Sequence, residues 1–223
     1  MTEYDEIVRL NPNSAEVYFN RGLARHQDSM AIEDFNEAIR LNPDFAEVYF
    51  YRGCLKEYFA HLEPEPVDQH EGLRSAVADF DDAIRLNLNP NHLAHAYYRR
   101  GKAQYNLDRY EEAVFDFNEA LKLDPENSEI RSSLDEAEGI LDFYNQGITH
   151  FDETIRLNPD DVRTYKIRGE TQGFLGRMKE AKEDFQKILD ITSDNQLKTE
   201  IETHLTKLHN PNYWQQYSWR TGN

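Results

Sequence analysis

The chain repeats itself, and the repeat length restricts its fold more than any other feature. VYFNRG (residues 17–22) returns as VYFYRG (48–53), AYYRRG (96–101) and TYKIRG (164–169). Downstream of each stands a second related word: AIEDFNEAIRLNP (31–43), AVADFDDAIRLNLNP (76–90), AVFDFNEALKLDP (113–125) and AKEDFQKILDI (181–191). A fifth copy lies between the last two, because LDFYNQGITHFDETIRLNP (141–159) matches LDRYEEAVFDFNEALKLDP (107–125) position by position. Phe35, Phe80, Phe117, Phe151 and Phe185 mark the copies at intervals of 45, 37, 34 and 34 residues, so the underlying period is 34. Self-similarity at this length means a supersecondary unit that cannot bury its apolar face alone and stacks on its own copies.

An aromatic, Gly, Ala, Phe, Ala, Pro order at a 34-residue period resembles the tetratricopeptide repeat family over roughly residues 4–192. The resemblance implies an all-α chain, a right-handed α-solenoid of five helix-turn-helix repeats with a concave groove. The repeats would span about 13–43, 44–90, 91–125, 126–159 and 160–192. YDEIVRLNP (4–12) matches FNEAIRLNP (35–43), so residues 1–12 read as an N-terminal half repeat. At the other end Leu197, Ile201, Leu205 and Leu208 recur at helical spacing, predicting a capping helix over 194–209. Residues 211–223 hold both tryptophans and form an aromatic C-terminal tail, which packs on the last helix or docks on a groove.

The residues support helical hairpins on physical grounds. Gly22, Gly53, Gly101 and Gly169 fall inside the first helix of each pair, where glycine costs about 1 kcal/mol relative to alanine. Close approach of the second helix is the natural compensation, and Ala31, Ala76, Ala113, Gly147 and Ala181 supply small partners there. Pro12, Pro43, Pro125 and Pro159 stop the second helices, and Asp108 with Glu111 resembles a capping box. Three residues are missing between Gly22 and Ala31, which predicts a clipped first helix or a very tight turn. Eleven are added between Gly53 and Ala76, within HLEPEPVDQHEG (61–72), whose prolines, glycine and acids predict a loop.

Arg21, Arg52, Arg100 and Arg168 precede the four glycines, and Asp34, Asp79, Asp116 and Asp184 precede the facing phenylalanines. In the degenerate fourth repeat both change together, to Leu134 and His150. Slots that face across a close helix pair and vary together predict a partly buried Arg-Asp ion pair inside repeats one, two, three and five.

The resemblance places groove-lining residues on the first helix of each repeat: Phe19, Leu23 and His26; Phe50, Cys54 and Tyr58; His95, Tyr98, Lys102 and Tyr105; and Lys166. Phe19, Phe50 and Tyr98 would form an exposed aromatic ladder suited to an apolar or helical peptide. The implied function is a protein-protein interaction scaffold that binds a peptide or helix of a partner protein; the alternative is a self-assembling module using its ends or its tail. Co-chaperones of the family grip a C-terminal carboxylate with lysines, asparagines and an arginine. The corresponding slots here hold Phe19, Leu23, Tyr51, His95 and Arg99, so that clamp is disfavoured.

Forty-two acidic against twenty-five basic residues give a net charge of -17, which repels nucleic acid and anionic lipid and favours basic or apolar protein partners. No segment has the apolar length of a membrane span. MTEYDEIVRLNPN lacks the features of a signal peptide, and Cys54, the single cysteine, cannot form an internal disulfide; both favour a reducing cytoplasm. No metal-ligand motif, phosphate loop or positioned nucleophile and base is present, so neither cofactor, metal nor catalysis is expected.

Overall fold

A computed structural model describes residues 3–25 and 28–214, and every regular element among them is a helix. In chain order these are α1 (Glu3–Leu10), α2 (Ala15–Arg25), α3 (Met30–Leu41), α4 (Ala46–Ala60), α5 (Pro66–Arg85) and α6 (Pro90–Asn106). They continue as α7 (Tyr110–Leu123), α8 (Ser128–Leu157), α9 (Val162–Phe174), α10 (Met178–Ile191), α11 (Asn195–Thr206) and α12 (Pro211–Trp214). The helices fall into two compact units, one of Met1–Leu107 with Glu112–Asp135 and one of Asp108–Glu111 with Glu136–Asn223.

Glycine against phenylalanine closes each hairpin. A methyl group added at Gly22, Gly53, Gly101 or Gly169 would come within 2.5, 2.9, 2.8 and 2.8 Å of the ring of Phe35, Phe80, Phe117 and Phe185 respectively. Those rings and the alanines one turn earlier, Ala31, Ala76, Ala113 and Ala181, are fully buried. Burying one such ring stabilises by about 1.5–3 kcal/mol, which outweighs the conformational cost of the glycine beneath it. The pairs α2/α3, α4/α5 and α6/α7 are built this way in the first unit, and α9/α10 in the second. α1, α3, α7 and α8 each stop two residues before Pro12, Pro43, Pro125 and Pro159, because the residue before a proline disfavours helical backbone. The described part of α2 has 11 residues, and residues 26–27, on which the expected clipping falls, lie outside the described residues.

The fourth repeat departs from expectation. Residues 126–159 do not form a helix-turn-helix; α8 runs unbroken through 30 residues from Ser128 to Leu157. Local sequence does not explain this, because Leu107-Asp108-Arg109-Tyr110 and Leu141-Asp142-Phe143-Tyr144 occupy the same register. In the third repeat the turn is made at Asp108, which takes left-handed backbone at φ 59° and accepts a hydrogen bond from the Tyr110 hydroxyl at 2.6 Å. Asp108 is thus the turn residue and not the first member of a capping box. Asp142 stays helical. The difference lies in the facing slots: Asp135 stands where the hairpins have glycine, and Leu134 and His150 stand where they have Arg and Asp. Without the close ring contact and the ion pair, nothing offsets the roughly 1 kcal/mol of a left-handed aspartate, and the helix continues.

The insertion is also more ordered than a loop. After a short turn at 61–65, α5 begins at Pro66 and takes the rest of the insertion into a 20-residue helix. Proline is well tolerated at a first helical position, where its missing N–H has no partner to lose. Gly72 lets α5 cross α4, since a methyl there would lie 2.7 Å from the Ala60 methyl.

In the second unit α11 packs on α10, and α12 ends the described chain with Trp214, 1% exposed. Its ring lies nearly parallel to Phe185 (5.9 Å, 5°), and its indole N–H donates to the Leu208 carbonyl at 2.8 Å. A methyl at Gly173 would meet that ring at 2.9 Å. The tail therefore packs on the chain itself up to residue 214; the remainder, with the second tryptophan, lies outside the described residues, as does His26.

Candidate functional site

The four arginines before the hairpin glycines share one environment. Arg21, Arg52, Arg100 and Arg168 reach Asp34, Asp79, Asp116 and Asp184 at 2.6, 2.6, 2.6 and 2.5 Å. In three of the hairpins Nε and Nη2 each bind one carboxylate oxygen, the two-point geometry that guanidinium favours. All four aspartates are buried. Each guanidinium also lies 5.5 Å from the ring of the tyrosine three residues earlier: Tyr18, Tyr49, Tyr97 and Tyr165. Tyr18 is half-buried in that role.

A second acceptor on the preceding helix completes the arrangement. The free Nη1 of each arginine bonds Asp5, Asn36, Asp81 or Asp152. Asn36, Asp81 and Asp152 follow their marker phenylalanines directly, and Asp5 follows Tyr4, which holds that register in α1. Neither the tyrosine platform nor this second acceptor was anticipated, although the i, i+3 spacing to tyrosine is visible in every VYFNRG-type word. Burial raises the Asp116 carboxyl above its ordinary value and outweighs the pull of Arg100. Asp184 is raised for the same reason. For Arg100 burial opposes the charge, yet hydrogen bonds to Asp116 and Asp81 hold it above its usual value. These arginines are occupied in holding hairpins and their neighbours together.

The residues expected to line a groove divide into two kinds. Phe50 is 6% exposed and Tyr98 is 8% exposed, so no open ladder runs from Phe19 through Phe50 to Tyr98. Each of the three rings leans onto the marker phenylalanine of its own hairpin, at 6.0, 6.2 and 5.9 Å. Phe50 is further covered by His92, stacked at 5.4 Å. The Tyr98 hydroxyl donates to Glu129 at 2.7 Å, and burial together with that carboxylate pushes it up to about 12. Phe19 is half-buried among Phe35, Phe45 and Tyr51, with Leu23 beside it in the same cluster.

Solvent reaches the other members. Tyr58 on α4 and His95 on α6 are exposed, and Lys102 and Tyr105 are partly so. His95, Tyr98, Arg99, Lys102 and Tyr105 fall on one face of α6 by their spacing. Arg99 donates to the buried Glu57 of α4 at 2.8 Å, which sets the faces of α4 and α6 side by side. Lys102 lies 5.4 Å from the Tyr98 ring. Cys54 sits on this part of α4, and burial pushes its thiol up to about 12, so it is no nucleophile at neutral pH.

In the second unit Lys166 bonds Glu200 at 2.7 Å, and Glu170 lies 3.3 Å from His204 Nε2. His204 is buried between Phe185 and Trp214, with Nδ1 2.6 Å from the Tyr213 hydroxyl. Glu170, Glu200 and His204 converge closely enough to hold a cation, but the Lys166 ammonium already lies 2.7 Å from Glu200 and 3.9 Å from Glu170. Lys166 is thereby engaged by its own unit.

Helical hairpins at a 34-residue period, closed by glycine on phenylalanine, define a helical-repeat protein. Residues 94–127 and 162–195 each match the tetratricopeptide repeat model. YrrB, described as a TPR protein with an unusual peptide-binding site, superposes with a TM-score of 0.53 at 17% identity, covering 91% of this chain and 98% of YrrB. A thermophilic TPR protein of Thermus thermophilus superposes with a TM-score of 0.48 at 17% identity over 91% of this chain and 87% of that one. The DnaJ homolog subfamily C member 7 homolog of Dictyostelium discoideum is 37% identical over 65 residues, 29% of this chain and only 12% of the relative's length. The chain thus carries tetratricopeptide repeats at residues 94–127 and 162–195. No helix among the described residues is long and apolar enough to cross a membrane.

Proposed function

We propose that this chain is an interaction scaffold, and that the face shared by α4 and α6 receives a peptide or short helix of a partner protein. The observation that carries this reading is the Arg99–Glu57 bond: it joins two first-helix faces that still offer Tyr58, His95, Lys102 and Tyr105 to solvent. Tyrosines with apolar bodies and polar tips suit peptide recognition at low entropic cost. A net charge of -17 steers basic partners toward the surface. YrrB's description as peptide-binding is in keeping with this use of the fold. Self-assembly through the tail is less well supported, because Trp214 is already buried against its own unit.

A photo-crosslinking amino acid placed singly at Tyr58, His95 or Tyr105 should recover one and the same partner. The same group at Phe115, exposed on α7, should not. Recovery of that partner from Phe115 alone, or equally from all four positions, would sink the assignment.

A further inference from the structure

One turn on from each hairpin arginine, three residues past the glycine, stands a second polar side chain: Arg25, Lys56, Gln104 or Gln172. In the first two hairpins it is a cation on the buried aspartate, with Arg25 2.8 Å from Asp34 and Lys56 2.8 Å from Asp79. In the other two it is a neutral amide. The Gln104 amide donates to Asp116 at 2.8 Å and to the Glu112 carbonyl at 3.0 Å, so it fills the slot without bringing a charge. Gln172 is also buried, and its amide oxygen finds no donor among the described residues.

The neighbouring acceptors sharpen the imbalance. Arg100 gives Nε and Nη2 to Asp116 and Nη1 to Asp81, and Arg168 does the same with Asp184 and Asp152. One guanidinium therefore serves two carboxylates, and among the described residues no other cation reaches Asp116 or Asp184. In the second hairpin two cations serve Asp79, and Arg52 Nη1 has the neutral Asn36 as its acceptor. Further charge near the two aspartates is also negative, Glu112 on α7 for Asp116 and Glu183 on α10 for Asp184. Asp81 and Asp152 are exposed, but Asp116 and Asp184 are buried, where an unmatched negative charge is costly.

We propose that a proton takes the place of the missing cation in the third and fifth hairpins, which makes Asp116 and Asp184 proton-binding sites built into the joints of α6/α7 and α9/α10. Burial holds both carboxyls above their ordinary value, as proton uptake in the folded chain requires. With Asp116 neutral, Arg100 is matched one to one with Asp81 on α5; with Asp184 neutral, Arg168 is matched with Asp152 on α8. Acid thus shifts each arginine from the bond that closes its hairpin to the bond that ties it to the preceding helix. A carboxyl raised by folding contributes stability that is present below its unfolded value and lost as pH rises through its folded value. These two hairpins therefore gain stability as pH falls from neutral toward the ordinary carboxylate range.

The test follows the side-chain carboxyl carbons of Asp116 and Asp184 by NMR through a pH titration of the full chain. Two kinds of substitution copy what the molecule does elsewhere: Gln104→Lys and Gln172→Lys supply the cation found in α4, and Asp81→Asn and Asp152→Asn supply the amide found in α3. Glutamine and lysine are near-equal helix formers, and Asp81 and Asp152 are exposed, so the fold should survive all four. Each should lower the titration midpoint of the aspartate in its own hairpin by about one pH unit. In urea unfolding, the stability that Gln104→Lys adds at pH 7 should shrink as pH falls through the Asp116 midpoint. Wild-type midpoints at or below the ordinary aspartate value of about 3.9 would overturn the proposal. So would midpoints that neither kind of substitution lowers, or a Gln104→Lys gain that is the same above and below the Asp116 midpoint.

Discussion

Gly169→Ala and Gly147→Ala make the same chemical change in helices of one unit, and the structure requires opposite outcomes. In a helix interior alanine is better than glycine by about 1 kcal/mol, and that gain applies at both positions. At Gly169 the new methyl would lie 2.8 Å from Phe185 Cε1, 3.1 Å from Cζ and 3.2 Å from Asp184 Cβ. Carbon atoms settle at about 3.5–4.0 Å, so something must move. The ring has little room to retreat, because His204 stacks on it at 5.0 Å and Trp214 at 5.9 Å. Overpacking of a filled core costs about 1–3 kcal/mol, and shifting Asp184 also strains its bonds to Arg168. The net expectation is a loss of up to about 2 kcal/mol, to which the strain on Asp184 adds. At Gly147 the methyl meets one ring atom at ordinary contact distance, so the gain of about 1 kcal/mol should survive. Urea unfolding followed by tryptophan emission reads both, since Trp214 is stacked on Phe185. Midpoints that move in the same direction would refute the close-approach account of the hairpin glycines.

Asp116→Ala leaves the largely buried Arg100 without its main partner and should destabilise the first unit by about 3 kcal/mol in thermal melts. Adding Arg100→Met should recover much of that loss, since an unpaired charge is the larger part of the cost. Asp161 caps α9 by accepting from the Arg163 and Thr164 amides, and its bond from the Thr164 hydroxyl, with those amides, holds its carboxyl below the ordinary value. A depressed folded pKa means stability present at neutral pH and lost as pH falls through that value. Asp161→Ala should therefore cost about 1 kcal/mol at pH 7, and the difference from wild type should shrink at pH 2. Cys54, with its thiol pushed up to about 12, should react with a thiol reagent at pH 8 far more slowly in the native protein than in urea, measured by absorbance.

What could be read from the sequence depended on how local its cause is. The period, the hairpin glycines and the partnering of Arg100 with Asp116 follow from residue spacing, because a repeat of fixed length fixes which slots face each other. The long α8 does not, because Leu-Asp-x-Tyr turns at 107–110 and stays helical at 141–144. The information that decides between them sits in Asp135, Leu134 and His150, up to 16 positions apart, and acts only through packing. Phe50 and Tyr98 were misread for a related reason. Spacing places them on the face of their helix, but the ring is long enough to lean back onto the marker phenylalanine, and orientation of that kind is not carried by spacing. The 61–72 segment read as loop from its prolines and glycine, yet Pro66 opens a helix and Gly72 permits a crossing.

The arginine bonds carry a further consequence for how such a chain can change its length. Each arginine's two acceptors stand beside marker rings, one directly before the phenylalanine of its own hairpin and one directly after the ring in that register on the helix before. A duplicated stretch of DNA encoding one period would therefore bring a complete joint with it, donor and acceptors together, wherever it was inserted between intact repeats. At residues 126–159 the joint is missing, because Leu134 has no guanidinium to offer.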